Sequence, residues 1–236
     1  MKILTTTDYK NFIDNLVLNA PKIDSDNLQR QKNISCSNYI LLGYSIPQCR
    51  KIAKEILKDG FEGMLKYYEN KYYEEVLIRG LVLSGIKDRK KFFDNIMEYI
   101  PFIDSWSICD CVITNFYIFK KETTLDDFNF FCNLALSDKE FFARFGIMMI
   151  FKYCLNENNL AQIFKLMLKI TNHKYYVDMA ISWLLCECMI KFESQTFDLI
   201  KQKKFTKFIQ NKTISKCRDS FRISSNLKED LKNYRI

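Results

Sequence analysis

Glycine and proline are scarce in this chain, at six and three of 236 residues. Alternating strand patterns are scarce too. Apolar residues recur with helical period almost throughout, so the sequence predicts an all-α fold. Histidine occurs once, at His173. Without a second histidine, metal clusters and histidine-based nucleophile schemes lose support. There is no Gly-rich phosphate loop, Walker sequence or dinucleotide fingerprint. Neither a metal nor a cofactor is therefore expected. No apolar run reaches the length of a membrane span, so no membrane partner is expected. The opening residues, Met1-Lys2-Ile3-Leu4-Thr5-Thr6-Thr7-Asp8, lack a long apolar segment of the secretory kind. The nine cysteines include no C-x-x-C. Most lie in apolar helical runs, where Cys132, Cys154 and Cys217 read as small buried hydrophobes. Cys109/Cys111 and Cys186/Cys188 are C-x-C pairs whose members face different sides of a helix. A reduced, cytoplasmic protein is expected.

What the chain does have is apolar content and positive charge. Hydrophobic residues make up 48%, enough for a substantial core. The net charge of +8, from 36 basic and 28 acidic residues, favours an anionic partner without identifying it. Periodicity predicts helices over about 7–20, 25–33, 45–57, 61–69, 72–85, 88–99, 105–120, 124–136, 138–154, 157–170, 174–191, 194–201, 204–218 and 224–234. Pro47 suits a first turn, and Gly60 suits the end of that helix. Thr123-Thr124-Leu125-Asp126 and Ser137-Asp138-Lys139-Glu140 read as capped starts. Links are short and helix pairs recur at roughly 30–40 residues, which suits a HEAT-like helical-repeat solenoid. One helix of each pair would line a concave, basic face. No Pro- or Ser-rich linker divides the chain, so residues 1–236 read as a single domain. A compact irregular helical bundle is the alternative.

The two tryptophans mark the segments with most chemical character. Trp106 precedes Asp110 by four residues, and Trp183 precedes Glu187 by four, so each pair shares a helix face. One reading of Trp106 and Asp110 is a core indole beside an N-terminal capping acid. The other is a functional carboxylate, since Asp104, Ser105, Ser107 and Asp110 crowd that segment with polar groups. Arg144 is the only charge in Phe141–Ile150. A buried guanidinium needs an anionic partner, either an acid such as Asp110 or Glu187 or a ligand phosphate. The stripe of Tyr176, Trp183 and Glu187 reads as core packing or as a ring face offered to a cation. Basic residues crowd the last third, including Lys204, Lys207, Lys216, Arg218 and Arg222. Lys87, Arg89, Lys90 and Lys91 form a second cluster. Each is either a solvated face or a track for a phosphate backbone.

Four segments in order resemble the AlkD-type, HEAT-like-repeat family of DNA alkylation repair glycosylases. Gly43-Tyr44-Ser45-Ile46-Pro47-Gln48-Cys49-Arg50-Lys51-Ile52-Ala53-Lys54 is similar to its GV-x-P-x-x-R-x-I-A-K segment. Trp106-Ser107-Ile108-Cys109-Asp110 resembles its W-x-x-x-D element. Tyr175-Tyr176-Val177-Asp178-Met179-Ala180-Ile181-Ser182-Trp183-Leu184-Leu185 resembles its YYV-x-x-A-x-x-W-x-L element. Lys216-Cys217-Arg218-Asp219-Ser220-Phe221-Arg222 resembles its K-x-R-E-S-x-R stretch. The resemblance implies excision of N3- and N7-alkylated purines from double-stranded DNA by a monofunctional enzyme, with no cofactor or metal. It implies Asp110 as the catalytic carboxylate, Trp106 and Trp183 as the paired site tryptophans, and Arg144 as the active-site arginine. Lys204, Lys207, Lys216, Arg218 and Arg222 are expected to contact DNA, and the protein is expected to act as a monomer. Trp106, Asp110, Arg144 and Trp183 are expected to line one concave surface. The alternatives are a non-catalytic binder of damaged or branched DNA and a scaffold for an acidic protein partner.

Overall fold

The computed structural model describes residues 2–236, and fourteen α-helices account for most of them. The all-α, repeat-like fold expected from periodicity is the one observed. The chain divides into two compact units, one ending at Glu122 and the other running Thr123–Ile236.

The first unit holds α1 (Thr6–Leu18), α2 (Ser25–Ser35), α3 (Ile46–Asp59), α4 (Glu62–Lys66), α5 (Tyr73–Ser84), α6 (Arg89–Tyr99) and α7 (Trp106–Ile113). Alternate helices touch, with α5 packed between α3 and α7. Neighbours in a row therefore come from every second helix, which is how stacked helix pairs bury their faces. Every residue of α5 is buried, including Glu74, Glu75 and Arg79. Two of these charges order the backbone around them. Glu74 accepts the amides of Leu42 (2.9 Å), Gly43 (2.7 Å) and Tyr44 (3.1 Å), the segment that leads into α3. Gly43 has φ +95°, a conformation that side-chain-bearing residues rarely adopt. Pro47 lies in the first turn of α3, and the helix gives way at Gly60, as expected. At Gly80 an added Cβ would lie 2.2 Å from the Tyr99 hydroxyl and 2.5 Å from Val112 Cγ2, so glycine permits the close approach of α5 and α7.

The second unit holds α8 (Leu125–Ala135), α9 (Glu140–Met149), α10 (Glu157–Lys169), α11 (Tyr175–Lys191), α12 (Glu193–Lys201), α13 (Lys207–Asp219) and α14 (Ser225–Lys232). Here α9 packs on α11 and α11 on α13, the same alternation. Thr124 caps α8 by accepting the Asp127 amide, with the reciprocal bond from Asp127 back to the Thr124 amide. The other expected cap differs. Lys139, not Ser137 or Asp138, occupies the cap position of α9 and makes no side-chain cap bond.

Two helix lengths also differ from expectation. A helix over 105–120 is interrupted at Ile113, where Arg50 on α3 donates to the Cys111 carbonyl (3.2 Å) and the Thr114 hydroxyl (3.1 Å). The following residues then turn so that Phe116 and Phe119 meet Phe92, at ring-centre distances of 4.9 and 5.4 Å. The helix expected over 138–154 widens into a π turn at Ile150–Cys154.

Candidate functional site

Helix α7 brings Trp106 and Asp110 together in the first unit. Ser105 caps it, its hydroxyl accepting the Ile108 amide at 3.4 Å. Asp110 lies in the second turn, so the capping-acid reading does not apply to it. Its side chain is half-buried. Trp106 is anchored: its indole Nε1 donates to the Ile34 carbonyl at 3.0 Å, tying α7 to the end of α2.

The other polar groups of this segment have structural work. The Asp104 carboxylate accepts the Ser37 hydroxyl (2.8 Å) and the Asn38 amide (2.6 Å). Burial raises its pKa, against the opposing pull of those hydrogen bonds. Ser107 accepts from Tyr73 at 3.0 Å and reaches the Ser35 carbonyl at 3.4 Å. The polar crowding that pointed to function thus divides. Asp104 and Ser107 tie α7 to the end of α2 and the residues after it, and Ser105 caps α7.

In the second unit, α9, α11 and α13 carry the remaining candidates. Arg144 is 4% exposed and donates through Nη1 to the Tyr176 carbonyl at 2.8 Å, with its guanidinium 5.9 Å from the Tyr176 ring centre. Glu140 accepts the Tyr176 amide at 2.8 Å, so the start of α11 is held from α9 through both backbone groups of one residue.

Trp183 departs from the core-packing reading. Every other residue from Ala180 to Met189 is buried, but Trp183 is 39% exposed. Phe151, displaced by the π turn, lies 5.2 Å from its ring centre, and the Lys216 ammonium lies 5.4 Å from the ring. An exposed indole beside a cation is suited to a partner that carries both rings and charge. Burial lowers the pKa of Lys216, and the neighbouring charges of Lys212 and Arg144 act in the same direction. Lys216 is therefore a cation beside the exposed indole, and an anion brought there would favour its charged form.

Glu187 is not the partner of Trp183 in this face. It accepts both ends of the Arg222 guanidinium fork, at 3.2 and 2.5 Å, and Lys191 stands 3.9 Å away. This ion pair satisfies one side of Arg222 and leaves its exposed side toward solvent. The Cys186/Cys188 pair divides between faces as expected: Cys186 meets the Cys217 thiol, whose hydrogen bond lowers the Cys186 pKa, while burial pushes Cys188 up to about 12.

Lys204, Lys207 and Arg218 are exposed. Lys207 also lines an open groove of about 510 Å³ with Phe208, Asn211, Lys212, Ser215 and Arg235. Phe208 is exposed and lies 5.9 Å from the exposed Tyr175 ring. Sequence reasoning counted Arg235 among the basic residues of the last third but missed Phe208 as a candidate. The signal was present, because Lys207, Asn211 and Ser215 recur every fourth residue and so share one face of α13.

The second basic cluster reads differently. Lys90 pairs with Asp94 at 2.7 Å, Lys91 with Glu62 at 3.0 Å, and the Lys87 ammonium lies 5.4 Å from the Tyr117 ring centre. These local partners favour the solvated-face reading there. Among the described residues no group of three or more potential metal ligands is gathered, and no helix is long and apolar enough to cross a membrane.

A family model described as DNA alkylation repair enzyme matches residues 20–216. That span contains α2 to α12 and most of α13, and with them Trp106, Asp110, Arg144, Trp183, Lys204, Lys207 and Lys216. No curated protein and no solved structure matches the chain. With the match extending over most of its length, the chain belongs to the DNA alkylation repair enzyme family.

Proposed function

We propose that the protein is a monofunctional DNA glycosylase that hydrolyses the N-glycosidic bond of N3- and N7-alkylated purines in duplex DNA. The observation that carries this reading is Asp110, a half-buried carboxylate in the second turn of α7, in a helix already capped by Ser105. Family membership supports a role in alkylation repair.

The chemistry follows from charge. An N-alkylated purine is cationic, and it departs as a neutral base when the bond between C1′ and nitrogen breaks. The bonding pair leaves with the base and positive charge develops on the sugar. A fixed carboxylate stabilises that charge. Water then bonds to C1′ and gives up a proton, which the carboxylate can receive. No lysine stands out as an amine nucleophile, so water is the attacking group. The exposed ring of Trp183 and the rings of Tyr175 and Phe208 supply faces for a cationic or unstacked nucleotide. Lys204, Lys207, Lys216, Arg218 and the outward side of Arg222 supply phosphate contacts, and Lys212 and Arg235 extend that set. Buried Arg144 holds the start of α11 and adds positive potential beside Lys216.

Incubation of the protein with DNA containing N-methylpurines should release free methylated base and leave abasic sites. DNA binding without base release would instead identify a non-catalytic binder, and absence of both would favour a protein scaffold.

Affinity for duplex DNA should fall steeply with salt, because each phosphate contact displaces condensed counterions. Neutralising Lys204 and Lys207 together should reduce the slope of log K against log salt by about 1.8, or about 0.9 per lost phosphate contact. Fluorescence anisotropy across a salt series measures this. A slope unchanged by the double substitution would remove both lysines from the interface.

A further inference from the structure

Arg79 sits in the middle of α5 and is 2% exposed. A guanidinium has five N–H donors and keeps its charge in proteins, so burial creates a demand for acceptors. Here Nε, Nη1 and Nη2 have no hydrogen-bond partner. The carboxylate one turn away, Glu75, is taken by the Tyr9 hydroxyl and by the amides of Glu69, Asn70 and Lys71. Tyr99 gives its hydroxyl hydrogen to the Val76 carbonyl at 3.2 Å.

What surrounds Arg79 is aromatic. Its guanidinium carbon lies 4.0 Å from the ring centre of Tyr68, 4.7 Å from that of Phe102 and 5.2 Å from that of Tyr99. Ring faces attract the cation but do not satisfy its in-plane donors. Beside it lies a cavity of about 10 Å³, lined also by Leu65, Leu83, Asn95 and Glu98. That is room for one water-sized occupant. A water molecule would offer a neutral oxygen, whereas an anion would answer both the donors and the charge.

We propose that Arg79 and its aromatic box form a binding site for a single small inorganic anion of about the size of chloride. Burial lowers the Arg79 pKa, and a bound anion would act in the opposite sense. Asn95 is half-buried and Glu98 exposed, so the side that carries them is the route of entry. The consequence lies in α5, which packs against α7, the helix of Asp110. An occupied site would stiffen that support. The proposal is independent of the glycosylase reading.

The test exchanges sodium gluconate for sodium chloride or bromide at constant ionic strength while thermal unfolding is followed. Gluconate is too large for the cavity, so general screening of the basic surface is held fixed. The melting temperature should rise with the logarithm of halide concentration above the dissociation constant, by about 3–5 °C at ten times that constant. Arg79→Lys should lose the halide-specific rise. Should that variant fail to fold, Glu98→Gln provides a second reading: it removes a carboxylate from the entry side and should lower the bromide concentration needed for a given rise. Crystals grown in bromide should show an anomalous peak within hydrogen-bond distance of the Arg79 guanidinium. Equal stability in halide and gluconate, a halide-specific rise that survives in Arg79→Lys, or water or the Glu98 carboxylate in the cavity of bromide crystals would each overturn the proposal.

Discussion

Replacement of Asp110 by asparagine should nearly abolish release of alkylated base. The substitution preserves side-chain size and hydrogen-bonding capacity but removes the negative charge. It therefore leaves the ground state almost unchanged and withdraws stabilisation as the sugar becomes cationic. Removing one preorganised electrostatic contact typically costs about 10²–10³ in rate. The helix should survive, because its cap is Ser105 and its tie to α2 is the Trp106 indole. DNA affinity should also survive, since phosphate contacts position the protein and Asp110 is not among them. Trp183→Ala should reduce excision less, because an exposed ring positions the nucleotide rather than answering charge at the reacting carbon. Single-turnover release of methylated purine, with circular dichroism and anisotropy as controls, separates these effects. Equal rates for wild type and the asparagine variant would remove Asp110 from the mechanism.

Glu75→Ala should be among the most destabilising substitutions in the first unit. The carboxylate is 1% exposed and accepts the Tyr9 hydroxyl at 2.5 Å. It also accepts the amides of Glu69 (2.9 Å), Asn70 (2.7 Å) and Lys71 (2.9 Å). Asn70 has φ +53°, which curls successive amides around one anion. Truncation leaves a buried hydroxyl and a set of converging N–H groups without their acceptor. Each such group costs about 1–3 kcal/mol when buried and unsatisfied. Water reaches part of this loop, so the expected loss is about 3–5 kcal/mol rather than the full sum. Glu75→Gln should lose less, since its carbonyl still accepts while its amide opposes the remaining donors. Urea midpoints measured by circular dichroism give the comparison. An unchanged midpoint for the alanine variant would show that Glu75 does not hold the loop.

The helices were legible because their apolar spacing is long and regular. All fourteen occur near the positions predicted from period alone. Several of the places where expectation failed share one cause, which is a partner distant in sequence. The predicted helix over 105–120 stops where Arg50, on another helix, takes the Cys111 carbonyl. Asp104 looked functional because its partners, Ser37 and Asn38, lie more than 60 residues earlier. Glu187 looked available because Arg222, which claims it, lies 35 residues later. Arg79 shows the converse. It is the only charge in Val76–Leu83, the same signal that drew attention to Arg144, yet only the structure reveals its unpartnered donors.

The sequence by itself determined the helical class, the places where helices start, the family and the short list of carboxylates, indoles and cations that carry chemistry. These are local properties, set by residue period, caps and ordered motifs. Tertiary structure alone decided which of those polar groups are spent on the fold. It assigned Asp104 and Ser107 to a helix junction, Glu187 to Arg222, and Glu74 and Glu75 to backbone amides. It left Trp183 as the exposed residue of an otherwise buried run. A side chain's burial and hydrogen-bond partners depend on which helices stack beside it, and that is not a property of its own segment.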